Sequence, residues 1–174
     1  MGHSTRFRGI MVKVGFTTEP GFISAAIRWI TQSKASHVCL IVDVDGTELV
    51  IEAWVYGYRV VTLDSVKAAR TFVLTVTPKT DLSQGLKDAV KWLGEAYDYS
   101  GLFGELFVLT GRWLKKSWRN PLANPRALFC SEAVTRILRE SGYPGAATLD
   151  PASTSPGDLM KFMEEQEPAE NKVY

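Results

Sequence analysis

A cysteine, Cys130, stands where the apolar run 127–130 opens into a segment whose apolar residues recur at helical spacing. Gly142 and Pro144 end that pattern, so we expect a helix that begins at or beside Cys130. The free N–H groups and the positive dipole end of a helix N-terminus stabilise a thiolate and lower its pKa below the ordinary value of about 8.5. Cys130 is therefore a candidate nucleophile, and a nucleophile of this kind needs a base.

His37 is the candidate base, because the other histidine, His3, lies near the end of the sequence. His37 begins an apolar, β-branched run that reads as a strand over 36–43. The turn residues 43–46 and a second apolar run over 48–54 follow it, which is the pattern of a β-hairpin. The sequence thus predicts that His37 lies on a paired strand.

The register of this hairpin decides which side chains neighbour His37. A four-residue loop over 43–46 places His37 directly opposite Glu52. A two-residue turn at Asp45-Gly46 places His37 opposite Trp54 and makes Glu52 its diagonal neighbour. Both registers keep His37 and Glu52 on one face, whereas a slip of one residue would separate them.

Cys130, His37 and Glu52 together have the side-chain types of a catalytic triad. The thiolate would attack, the imidazole would exchange its proton, and the carboxylate would fix the imidazole tautomer. Each residue also has a structural interpretation, since a lone cysteine is most often a small buried hydrophobic residue and a strand histidine often only packs. Cys39 fits that interpretation better than Cys130, but it shares the His37 face, so a rival thiol or a Cys–His metal pair stays open.

The composition describes one ordinary domain. The chain has 174 residues, 45% of them hydrophobic, so we expect a single domain over 1–174 with its core at about 9–163 and a frayed acidic tail at 164–174. A net charge of +1 argues against a nucleic-acid partner. Two cysteines and two histidines are too few for a disulfide scaffold and nearly all that a four-ligand zinc site would need, so we expect neither a metal nor a cofactor.

The cellular location predicted from these features is cytoplasmic. Residues 1–9 lack the continuous apolar core of a secretory signal, and no apolar window is long enough to span a membrane. Release or export by another route stays open, as does the oligomeric state.

Alternating and helical patterns along the chain predict an α+β domain in which helices pack outside an antiparallel sheet. Strands are expected over 10–16, 36–43, 48–54, 58–62 and 71–77, and helices over 22–32, 63–68, 82–93, 102–114, from Cys130, and from 155. The helix over 22–32 carries one apolar stripe, formed by Phe22, Ile23, Ala26, Ile27 and Ile30.

The order of these motifs is similar to that of a known superfamily. Ser36-His-Val-Cys-Leu-Ile-Val, then Val50-Ile-Glu-Ala, and far downstream Phe129-Cys-Ser-Glu resemble the circularly permuted branch of the NlpC-type, papain-like cysteine peptidases. In that branch the histidine precedes the cysteine. Gly94-Glu-Ala-Tyr-Asp also resembles a stretch typical of the superfamily, and the similarity covers about residues 9–160.

The resemblance implies a permuted papain-like α+β fold in which the cysteine helix packs against the antiparallel sheet. It implies that Cys130 is the nucleophile, His37 the general base and Glu52 the polar third member. The sequence departs from the family at Cys39, where a small residue is usual, and at Gly9-Ile-Met-Val-Lys, which lacks the common Gly-Asp opening.

The implied function is a cysteine-dependent hydrolase of amide bonds that works through an acyl-enzyme. Its expected substrates are cell-wall peptides, that is, peptidoglycan, cut by a bacterial or phage enzyme. The alternative is a lipid acyl hydrolase or acyltransferase, as in the lecithin retinol acyltransferase relatives, which would contact a membrane peripherally. A second alternative is a binding module that has the cleft but no turnover.

Several aromatic side chains are candidates for binding the substrate. Tyr56 and Tyr58 closely follow Trp54 in the sequence, and Trp113 and Trp118 lie among basic residues before the cysteine segment. Aromatic rings beside cations can stack on a polymer or enter a lipid interface. Solvated basic edges with buried indoles would explain the second group equally well.

Overall fold

The computed structural model describes residues 11–54, 57–93 and 129–173. These residues form an α+β fold with six β-strands and five α-helices. The strands are β1 (Val12–Thr18), β2 (His37–Val44), β3 (Thr47–Trp54), β4 (Gly57–Thr62), β5 (Thr71–Val76) and β6 (Lys172–Val173). The helices are α1 (Phe22–Thr31), α2 (Leu63–Ala69), α3 (Ser83–Ala89), α4 (Cys130–Glu140) and α5 (Pro156–Gln166).

The predicted elements within these residues are all present, with small shifts at their ends. The helix predicted over 82–93 is shorter, because α3 ends at Ala89 and a single 3-10 turn, Val90–Trp92, follows it. The helix predicted over 102–114 and the basic loop after it lie outside the described residues. None of the described helices is long and apolar enough to cross a membrane.

The six strands form one open antiparallel sheet in the order β4-β3-β2-β1-β5-β6. Consecutive strands therefore pair as hairpins over β2, β3 and β4, and β1 joins that group to β5. β2 is central, which buries its first six residues completely or nearly so. The strand that carries His37 is thus one of the most firmly held in the sheet.

The β2–β3 hairpin has the two-residue turn. Val44 pairs with Thr47, and the turn residues Asp45 and Gly46 have φ values of 51° and 83°. Positive φ at both positions is the type I′ arrangement, which favours Asp-Gly. The four-residue loop is wrong, since it would have paired Val42 with Thr47.

Most of the core lies on one face of the sheet, where α3, α4 and α5 pack. The buried residues of these helices join Val14, Phe16, Leu40 and Leu74 from the strands in one cluster. The other face has a smaller cluster, in which Cys39, Ile41 and Val50 meet Leu63 and Val66 of α2. The cysteine-bearing helix α4 therefore packs on the sheet face with the larger core.

Helix α4 owes its position to its sequence pattern. Val134, Ile137 and Leu138 are buried against the sheet, whereas Arg139 is exposed. The helix ends in a Schellman motif, in which the N–H of Gly142 donates to Arg139 O at 3.0 Å and the N–H of Tyr143 to Leu138 O at 2.9 Å. The C-terminal end of the helix is therefore fixed by a local motif as well as by the core.

The acidic tail is more ordered than the sequence suggests, so the prediction of a frayed end at 164–174 is wrong for residues 164–173. Helix α5, capped by a Ser155–Asp158 capping box, runs through Gln166. Glu167 is buried and its carboxylate accepts hydrogen bonds from Tyr143 Oη at 2.9 Å and Lys79 N at 3.2 Å. The tail then pairs with β5 as β6, which forms one edge of the sheet.

Helix α1 is confirmed, but its predicted apolar stripe is only partly covered: Ala26, Ile27 and Ile30 are half-buried, whereas its first two residues are exposed, as is the neighbouring Trp29. Phe22, Ile23 and Trp29 are 88%, 59% and 69% exposed. The one fully buried residue of the helix is polar: Ser24 has its Oγ 2.7 Å from Ser36 Oγ, and Arg28 hydrogen-bonds Thr18. An outward apolar face of this kind marks a surface for interaction with something apolar.

Gly85 lets α3 approach α4 closely. A Cβ at this position would lie 2.3 Å from the carbonyl oxygen of Ile137. We therefore expect Gly85→Ala to lower the free energy of unfolding by about 1–3 kcal/mol, although alanine is the better helix former. Chemical denaturation of this variant measures the effect, with Gln84→Ala, at an exposed site of the same helix, as the control. Equal or greater stability of Gly85→Ala would contradict the close packing.

Candidate active site

Cys130 is the first residue of α4, and Phe129 is the helix N-cap. The first helical hydrogen bond runs from Ala133 N to Phe129 O at 3.1 Å, so the N–H groups of Cys130, Ser131 and Glu132 are not used by the helix. The Cys130 sulfur accepts hydrogen bonds from the N–H of Ser131 and from the N–H of Val38 in β2. The second of these places the start of α4 against the start of β2.

His37 lies between Cys130 and Glu52. Its Nε2 is 2.9 Å from Glu52 Oε2, and its ring also hydrogen-bonds the Cys130 side chain. Since Glu52 occupies Nε2, Nδ1 is the nitrogen that remains for the sulfur. The three residues predicted from the sequence as a set therefore meet as a continuous chain of hydrogen bonds in the order sulfur, imidazole, carboxylate.

The pKa values of Cys130 and His37 shift in opposite directions. Burial alone would raise the pKa of Cys130, but the positive charge and hydrogen bond of His37, together with the Val38 and Ser131 N–H groups, lower it. Burial alone would lower the pKa of His37, but the Cys130 thiolate, followed by Glu52, raises it to about 9. Both shifts favour the thiolate–imidazolium form of the pair over the neutral form.

Glu52 is fully buried at the centre of a cluster of cations. Arg59 donates to Glu52 Oε1 from Nε at 3.0 Å and from Nη2 at 2.7 Å, and Arg70 Nη2 lies 2.9 Å from Oε1 and 2.8 Å from Oε2. Burial would raise the pKa of Glu52, but His37 first, and then Arg70 and Arg59, lower it to about 2. Glu52 is thus a permanent carboxylate that orients the imidazole.

Cys39 is a second buried free thiol and provides an internal comparison. Its Sγ donates to Gly15 O at 3.5 Å, and burial followed by the negative charge of Glu52 raises its pKa far above the ordinary value. A thiol of that kind is inert, so the structure favours Cys130 over Cys39 as the reactive sulfur. Within the described residues, no group of three or more His, Cys, Asp or Glu side chains is placed to hold a metal ion.

The predicted aromatic residues fall into three groups. Trp54 is half-buried and meets the His37 ring edge-on, with 5.2 Å between the ring centroids. Tyr58 is 5% exposed and packs in the main core against Trp92, so its ring contributes to stability. Its role in lining a substrate cleft stays a prediction. Tyr56, Trp113 and Trp118 lie outside the described residues.

Two arginines of the cluster were not identified from the sequence. Arg59 could have been, because a two-residue connection after Trp54 pairs Glu52 with Arg59 across β3 and β4. Arg70 could not, because it follows α2 and reaches Glu52 only through the way that helix packs on the sheet.

Comparison of the sequence with protein-family models and with curated proteins gave no match.

The ion pair predicts how Cys130 reacts with iodoacetamide as the pH changes. Because its pKa is lowered and that of His37 is raised to about 9, we expect fast labelling at neutral pH that changes little until the imidazolium loses its proton. An ordinary thiol would instead react about tenfold faster per pH unit below its pKa of about 8.5. Mass spectrometry of the labelled protein measures both the rate and the site.

The matched control is Cys130→Ser, which leaves only Cys39. We expect this variant to stay unlabelled while it is folded, because Cys39 has 0% exposure, against 7% for Cys130, and its raised pKa keeps the thiol protonated. Labelling of Cys39 at the wild-type rate would contradict the assignment of the two thiols.

Proposed function

We propose that the protein is a cysteine-dependent hydrolase of amide bonds with a circularly permuted papain-like fold. The observation that carries the proposal is the hydrogen-bonded chain from Cys130 through His37 to Glu52, with the sulfur at a helix N-terminus. The α+β arrangement, with the cysteine helix packed on an antiparallel sheet and the histidine on its central strand, supports the fold assignment.

In the proposed reaction the Cys130 thiolate attacks the carbonyl carbon of the substrate and forms a C–S bond. The His37 imidazolium donates its proton to the leaving nitrogen as the C–N bond breaks, which leaves a thioester. The neutral imidazole then takes a proton from water, and the resulting hydroxide attacks the thioester to release the acid. The thiolate and the imidazolium are thereby regenerated.

The developing oxyanion needs donors close to the sulfur. The backbone N–H of Cys130 is suited to this task, because it lies before the first hydrogen bond of α4 and at the positive end of the helix. Such donors typically contribute several kcal/mol to the transition state, about 3–4 kcal/mol for one donor. Glu52 contributes by holding the imidazole in one tautomer.

Cell-wall peptides are the first proposed substrate class, following the resemblance of the His37, Glu52 and Cys130 motifs to NlpC-type enzymes. Lipid acyl or amide bonds are the second, and one observation favours them. Helix α1 turns Phe22, Ile23 and Trp29 to solvent, and it is bound through Ser24 to Ser36, the residue before His37. A lipid surface on α1 would therefore lie beside the strand that carries the base.

An electrophilic acyl probe tests the reaction class. We expect it to form a covalent adduct at Cys130, and we expect Cys130→Ser and His37→Ala to lose at least about a hundredfold in hydrolysis rate, since each removes an essential reacting group. Cys39→Ser is the matched control and should keep activity within a few-fold. Hydrolysis of peptidoglycan fragments, compared with acyl lipids in vesicles, then separates the substrate classes.

Two results would contradict the proposal. A covalent adduct at Cys39 in place of Cys130 would show that Cys130 is not the nucleophile. Binding of peptidoglycan fragments or lipids without turnover, with wild type and Cys130→Ser indistinguishable, would identify a binding module instead of an enzyme.

A further inference from the structure

The Arg70 side chain contacts Glu52 and Trp54, although the Cys130–His37–Glu52 triad does not itself require an arginine. It is the C-terminal cap residue of α2, where the backbone is extended, and its side chain is 2% exposed. Its Nη2 bridges both oxygens of Glu52, at 2.9 Å and 2.8 Å. The same guanidinium lies over the Trp54 ring, 4.3 Å from its centroid.

Both groups that Arg70 contacts are direct neighbours of the His37 ring. Glu52 holds Nε2 at 2.9 Å, and Trp54 meets the ring edge-on at 5.2 Å between centroids. The Arg70 guanidinium therefore holds both Glu52, which accepts the hydrogen bond from the imidazole, and Trp54, whose ring packs against the imidazole. Arg70 thus acts on the position of His37 through Glu52 and Trp54, and not by direct contact.

The burial of Arg70 is costly. Its Nη1 is buried and has no hydrogen-bond partner in the part of the chain that the structure describes. A buried ion pair often contributes less to stability than apolar side chains of the same volume would, because both charges must leave water. A role beyond stability accounts for its presence.

We propose that Arg70 is a positioning residue for the Cys130–His37 pair. It holds the Glu52 carboxylate and the Trp54 ring so that the imidazole faces the sulfur. It also offsets the charge of Glu52, so that the Cys130 thiolate is the principal counter-ion of the imidazolium. Only the turnover part of this proposal depends on the proposed hydrolase function.

The charges around the pair set the direction of the expected effect. The described charged or titratable groups around the pair include Glu52 from β3, Arg59 from β4, Arg70 after α2 and Cys39 beside His37 on β2, and α4 adds Glu132, which is paired with Arg136. Removing the positive charge of Arg70 leaves Glu52 less compensated. The pKa of the Cys130 thiol then rises. The acid limb of the labelling profile, where the rate falls as the thiolate takes up a proton, therefore moves to higher pH.

Arg59 is the matched control, because it contacts the same two groups. It donates twice to Glu52 and lies 5.2 Å from the centroid of the Trp54 ring, but its side chain is 37% exposed. Solvent screens a charge in that position, so its removal should disturb the pair much less. The two arginines thus differ mainly in burial.

The test compares Arg70→Met, Arg70→Lys and Arg59→Met, with circular dichroism and thermal melting to show that each is folded. For Arg70→Met we expect the acid limb of iodoacetamide labelling to rise by about one pH unit. Arg70→Lys should keep the acid limb near its wild-type position, because the charge remains. It should reduce several-fold both kcat and the pH-independent labelling rate near neutral pH, because a single ammonium cannot reproduce the bridging and stacking contacts. Arg59→Met should change each quantity in the same direction as Arg70→Met, but by a smaller factor.

Three results would overturn the proposal. These are a wild-type labelling profile in folded Arg70→Met, equal effects of Arg70→Met and Arg59→Met, and wild-type plateau and kcat values in Arg70→Lys. If Arg70→Met does not fold, Arg70→Lys decides the matter, because it retains the charge. A shifted labelling profile in a protein that hydrolyses no substrate would sustain the role of Arg70 and refute the hydrolase function.

Discussion

The electrostatic coupling of Cys130 to His37 is the interaction on which the rest of the structure depends. Both groups are buried, and burial opposes the charged form of each. The charged forms are favoured because the two groups face one another, with N–H groups of Val38 and Ser131 on the sulfur and Glu52 on the far side of the ring. The packing of α4 on β2 is what brings them together.

Local sequence patterns were sufficient to predict the parts of this arrangement. The helical spacing after Cys130 and the Gly142 stop predicted α4, and the alternation around His37 with its Asp-Gly turn predicted the hairpin. The face shared by His37 and Glu52 followed from strand periodicity, which both candidate turns preserved. The choice between the turns was left open, and the type I′ geometry of Asp45-Gly46 determined it.

Features that arise from tertiary packing could not be predicted in the same way. Arg70 reaches Glu52 only because α2 folds back over the sheet, and nothing in the residues around it indicates that contact. The stripe on α1 predicted a helix correctly, but not that Phe22 and Ile23 would be exposed while Ser24 is its one fully buried residue. The fate of the acidic tail likewise depended on a distant partner, Tyr143, which donates to Glu167.

The most direct test measures the protonation of His37 as a function of pH. Nitrogen-15 NMR of the imidazole reports it, in the wild type and in Cys130→Ala. The account predicts that wild-type His37 titrates at about 9, above its ordinary 6.5. It predicts a fall of more than about one unit in Cys130→Ala, because the largest favourable charge is gone while burial remains. Titration near 6.5 in the wild type, or at the same pH in both proteins, would contradict the ion pair.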